Sequence, residues 1–133
     1  MSHNIILSKV KFKDLTVLGQ VASDLSNGKC ILDATAKEFR TYYNQDPKCD
    51  GMIKMDGAFD IGLKKTTDGY VPVADFSMMR NSNPFSAGGN DVGKLQQEYI
   101  LREAEYTAAQ NGMTSERIQG KNGKVTLELV ASN

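Results

Sequence analysis

The stretch Phe59-Asp60-Ile61-Gly62-Leu63-Lys64-Lys65-Thr66-Thr67-Asp68-Gly69-Tyr70-Val71-Pro72-Val73-Ala74-Asp75-Phe76 decides the fold. Apolar residues alternate over its first five positions and again from Tyr70 to Phe76, the period of two that marks a half-buried strand. Asp68-Gly69 between them is a pair that supplies positive φ for a tight turn. The stretch is therefore expected to be an antiparallel hairpin. Pro72 has no N–H to give to a ladder, so its strand is expected to be an edge at that point or to be bulged.

Working outward, Ile5, Leu7, Val10 and Phe12 predict a short first strand. Asp14 reads as the N-cap of a helix, because its carboxylate can accept from the first free amides. Leu15, Leu18, Val21, Ala22 and Leu25 then share one helical face, and Asn27-Gly28 ends the segment. Cys30-Ile31-Leu32 predicts a second strand. Residues 36–55 stay open between strand and loop: Glu38 to Tyr43 fits a strand, whereas Asn44 to Gly51 is rich in turn residues. A long helix is expected from about Val92 to Gln110, with Gly112 as its C′ residue and Glu98–Arg102 as an i,i+4 ion pair. A last hairpin is expected to turn at Asn122-Gly123, between Glu116–Gln119 and Val125–Val130. Antiparallel hairpins with two helices predict an α+β fold, a mostly antiparallel sheet with both helices packed on one face.

The chain's 133 residues suit one domain, 1–133, without repeat or linker. Sixteen basic residues balance sixteen acidic ones, so nothing in the whole-molecule charge favours duplex nucleic acid or an anionic membrane as partner. No apolar run approaches the ~20 residues of a membrane span. The opening Met1-Ser2-His3-Asn4 has no signal-peptide character, and Cys30 and Cys49 read as two ordinary thiols, which together lead us to expect a cytoplasmic protein.

These residues resemble the uncharacterised family of small proteins known from hypothetical chloroplast reading frames, with cyanobacterial, bacterial and phage members. The similarity begins at Met1-Ser2-His3 and is strongest at Phe59-Asp60-Ile61-Gly62-Leu63, Tyr70 and Val73-Ala74-Asp75. It continues through Leu95, Gln97, Tyr99 and Gly112 to a Gly-turn-strand tail. It covers most of the chain, with Thr35 to Met55 matched loosely. The resemblance implies a fold and no catalytic residues or cofactor. Its association with AAA-type ATPases suggests such an ATPase, or a host protein for a phage-encoded member, as partner. The chain departs from the family at Ser77–Asp91, where the family shows a shorter, aromatic-rich connection.

That segment is longer than most connections, and long ordered loops tend to carry function. Ser86, Gly88 and Gly89 lead into a helix N-terminus, a place where backbone amides can converge on an anion with help from Arg80 or Lys94. Such a site would take a nucleotide-like ligand. No Gly-Lys-Ser/Thr follows, Asp91 is positioned to cap the helix itself, and a mobile loop or an oligomer contact is the competing reading. Asp46, Asp50, Asp56, Asp60 and Asp75 are the material for acid–base or metal chemistry, and hairpin pairing would make Asp60 and Asp75 neighbours, the basis of a metal-dependent hydrolase reading. Against it, they can equally sit on a solvated face or bond local groups. His3 is the only histidine, which excludes multi-histidine metal sites and catalysis by a mid-chain histidine base.

The long helix carries two apolar faces. Leu95, Tyr99, Tyr106 and Ala109 share one, with Met113 in line beyond the helix end; Ile100, Leu101, Ala104 and Ala108 share the other. One face must pack on the sheet. The second, with Phe85, is expected either to meet another copy of the chain or to be covered by the 77–91 loop. The expectation from sequence is a non-catalytic binding or accessory protein that self-associates, with the nucleotide-like binder and the hydrolase as alternatives.

Overall fold

A computed structural model describes residues 3–131; the Met1-Ser2 opening of the family-like match lies outside them. The chain forms two compact units, Met1–Gln96 and Gln97–Asn133. The class is α+β, and every strand pairing is antiparallel.

The first unit is built on a five-stranded sheet with order β1-β5-β4-β3-β2. Its strands are β1 (Ile5–Ile6), β2 (Ile31–Asp33), β3 (Met52–Lys54), β4 (Ile61–Thr66) and β5 (Gly69–Ala74). The β4–β5 hairpin is the one expected, with Leu63 opposite Pro72 and Thr66 opposite Gly69. Gly69 sits at φ +136°, and a Cβ there would come within 2.9 Å of the Phe12 carbonyl oxygen, so the residue closing this turn must be glycine. Pro72 acts on the far side of its strand. Leu7 donates to the Pro72 oxygen, but Pro72 cannot donate back, and β1 ends at Ile6. Pairing resumes only at Phe12, which exchanges both backbone bonds with Tyr70. The first strand is therefore shorter than its apolar residues suggest.

Helix α1 (Leu15–Leu25) is capped as expected: the Asp14 carboxylate accepts from the amides of Thr16 and Val17. Its Leu18, Val21 and Ala22 are fully buried. Gly19 lies against the Leu32 side chain, which shares a sheet face with Ile53, Ile61 and Leu63. The opposite face carries Met52, Gly62 and Val73 and is covered by the excursion between β2 and β3. There the stretch Glu38–Tyr43, left open between strand and loop, makes only the single bridge Glu38–Lys48, and Phe39 and Cys49 pack on Val73. The Phe39 ring lies where a side chain on residue 62 would be, 2.6 Å from an added Cβ. Gly62 thus stands between the buried Ile61 and Leu63 to admit a ring.

The second unit contains most of helix α2 (Gly93–Gln110) and a two-stranded ribbon, β6 (Met113–Gln119) and β7 (Val125–Ala131). The ribbon turns at Asn122-Gly123, both with positive φ as the sequence predicts. It is longer at its open end than expected: Met113, read in line with the helix, begins β6 and pairs with Ala131. Among the described residues no helix is long and apolar enough to cross a membrane.

Because the Phe39 ring is buried and flanked by Cys49 and Val73, Gly62→Ala should cost roughly 1–3 kcal/mol through overpacking. Chemical denaturation will show this as a lower midpoint. Phe39→Leu should be less harmful in the Gly62→Ala background than in the wild type.

Candidate functional site

Segment 77–91 is pinned rather than loose: Met79, Phe85 and Val92 are buried apolar anchors along it. Phe85 therefore lies inside the first unit and offers no interface surface. Around these anchors lie two polar cavities. One of about 380 Å³ is lined in part by Ser26, Lys29, Asp56, Arg80, Ser82 and Asn83. The other, about 490 Å³, is lined by Arg80, Ser86, Gly88, Gly89 and Asn90. Four of the residues expected to hold an anion, Arg80, Ser86, Gly88 and Gly89, thus meet around one cavity. Lys94 does not line it. Arg80 is exposed and borders both cavities.

The backbone amides of Ala87, Gly88, Gly89 and Gly93 are already committed within the loop. The Ser86 hydroxyl accepts from the amides of Gly88 and Gly89 at 3.0 Å each and donates to the Gly89 carbonyl. Asp91 Oδ1 accepts from the amides of Ala87 (2.8 Å) and Gly93 (2.9 Å), bonds that hold its carboxyl below the ordinary range. Lys94 N–H donates to the Phe85 carbonyl. An anion reaching the second cavity would meet the Arg80 side chain, while the Gly88 and Gly89 amides are already bonded to Ser86.

The two carboxylates proposed for metal chemistry are both buried, and their neighbours differ. Asp60 lies just before β4, where its amide leaves the ladder to donate to the Arg40 carbonyl. Its Oδ2 accepts from Arg40 N and Nε, and its Oδ1 from Arg40 Nη2 (2.7 Å) and the Met55 amide (2.9 Å). Burial alone would raise its pKa, but the Arg40 guanidinium and the two amides outweigh it and hold the carboxyl below its usual value. Both Asp60 oxygens are committed, so a metal would have to displace Arg40. Asp75 Oδ1 accepts from the Ser77 hydroxyl and the Met78 amide, while its Oδ2 is buried with no partner. Among the described residues no three His, Cys, Asp or Glu side chains form a metal-binding group.

In the second unit, α2 places its apolar residues unevenly. Leu101 and Ala108 are buried and Ala104 is half-buried, whereas Ile100 and Tyr106 are exposed. The ribbon is tied to the helix by a residue that sequence reasoning passed over. Arg117 on β6 makes two hydrogen bonds to Glu98 (2.8 and 2.9 Å) and two to Glu105 (2.7 and 3.0 Å), and Arg102 adds the expected i,i+4 contact to Glu98. Burial pushes Glu98 up, but the two guanidiniums more than reverse it and its pKa is lowered. The ribbon also exposes Ile118 (42%), Leu129 (45%) and Val130 (53%), which the helix-centred reading did not single out. For Leu129 the available signal was the alternation Val125, Leu127, Leu129 along β7. No family model, curated protein or solved structure matches the chain.

The Asp60 node gives a signed pH dependence. A carboxylate with a depressed native pKa contributes stability that is fully present above its unfolded value, about 4, and is lost as pH falls through the native value. Thermal melts should therefore lose midpoint steeply below about pH 4. Asp60→Ala should cost about 3 kcal/mol at neutral pH, because it strands buried donors, and should flatten that acid slope.

Proposed function

We propose that the chain is a non-catalytic, self-associating binding protein whose contact surface is the β6–β7 ribbon with the exposed side of α2. The observation that carries this is a ribbon standing as a separate two-stranded sheet while exposing Ile118, Leu129 and Val130. An isolated two-stranded ribbon is marginal in water, and long edges with apolar residues are places where another chain adds. Arg117 joins the ribbon to its helix by polar contacts, and Ile118, Leu129 and Val130 keep about half of their surface exposed. Light scattering after size exclusion should report a multimer of the wild type. The double variant Ile118→Asp/Val130→Asp should elute as a monomer with unchanged helix content. A monomeric wild type at high concentration would overturn the proposal.

A second reading, a binder of a nucleotide-like anion, is favoured by Arg80 bordering two polar cavities. The melting temperature should then rise with a nucleotide or with inorganic phosphate. Arg80→Ala should abolish the rise, whereas Lys94→Ala should leave it intact. No shift across a nucleotide panel and phosphate would eliminate this reading.

A further inference from the structure

The two strands of the ribbon leave different groups unpaired. Gly120 N–H donates to the Lys124 carbonyl at 2.6 Å, which makes these residues a hydrogen-bonded pair. Such pairs alternate along an antiparallel ladder. Continuing the register, Thr126, Glu128 and Val130 bond to β6, and Val125, Leu127, Leu129 and Ala131 turn their N–H and C=O groups outward. No other strand of the described chain pairs with β7. Soluble proteins guard such edges with lysines, prolines or bulges. In Val125–Ala131 the only charged residue is Glu128, and there is no proline.

A second observation concerns charge. Glu128 lies directly opposite Glu116 in the ladder, and both are exposed. Like charges in that position repel. Among the described residues neither carboxylate has a cationic partner, and neither does the Lys124 ammonium. Lys124 has extended backbone (φ −72°, ψ 133°) and, by the period of two, projects from the same ribbon face as Glu128. Four residues of strand separate them, roughly 13 Å, so the lysine cannot reach its own Glu128.

We infer that β7 pairs antiparallel with β7 of a second copy about a two-fold axis at Thr126. This rests on the self-association proposed above and names its edge and register. Lys124 of each copy then faces Glu128 of the other, and Val125 faces Leu127, with their outward backbone groups exchanging hydrogen bonds. Pairing about Glu128 would instead gather both copies' Glu128 and Glu116 together. Pairing about Leu127 would set Lys124 against Val130 and leave the acid pair unrelieved. The Thr126 register brings a cation to each acid pair, and it is isologous, so it closes as a dimer.

The test compares dimer dissociation constants, from sedimentation equilibrium, for wild type, Lys124→Glu, Glu128→Lys and the double exchange. Each single change should weaken the dimer about tenfold, with the loss shrinking at high salt. The double exchange should restore the wild-type constant. Glu128→Lys should at the same time raise the thermal stability of the dissociated chain, since it turns the Glu116–Glu128 repulsion into attraction. A dimer indifferent to both single changes would overturn the edge and register while leaving self-association standing. A wild type that stays monomeric would overturn both.

Discussion

The first unit depends on one buried carboxylate. Asp60 draws together the excursion at Arg40, Met55 just after β3 and the entry to β4, and so ties the excursion to the β3–β4 ladder. Arg40 completes the node by also donating to the Met55 carbonyl at 2.8 Å. A buried charge is tolerable only when fully bonded, and here the bonding doubles as the joint that holds the excursion over the sheet. With that cover in place, Phe39 can press onto Gly62, and the Tyr42 ring can pack at a tilt against Phe59, their centroids 4.8 Å apart. The same commitment withdraws Asp60 from metal or acid–base chemistry.

A comparable economy governs the loop before α2. Ser86 and Asp91 satisfy the amides that a phosphate cradle would need, so the sequence features that suggest an anion site are largely self-satisfied caps. Arg80 is the exposed cation of that motif that borders the cavity. The separation of roles is physical: glycines and a helix N-terminus create donors, and nearby side chains of the same loop reach them before any ligand does.

How legible this was in the sequence varied with the range of the interactions involved. The β4–β5 hairpin, the Asp14 cap, the Glu98–Arg102 pair and the Asn122-Gly123 turn are local, and pattern and turn chemistry located them. Strand β3 and the excursion at 36–50 were not legible, because Met52–Lys54 is held by pairing on both sides rather than by its own alternation. The premature end of β1 required knowing that Pro72 would face it. Helix periodicity suggested Leu101 and Ala108 as surface, and tertiary packing buries both. Arg117 was missed because its acid partners are 12 and 19 residues away in sequence.

The second unit carries the proposed contact surface. Its helix and ribbon are joined by guanidinium–carboxylate contacts, and among the described residues the outer edge of β7 pairs with no other strand. The most direct test is residue-resolved amide hydrogen exchange across a range of protein concentrations. The account predicts that the Val125 and Leu127 amides, unpaired within one chain, slow as concentration rises, while Thr126 and Glu128 are slow throughout. Fast exchange at Val125 and Leu127 that does not change with concentration would contradict it.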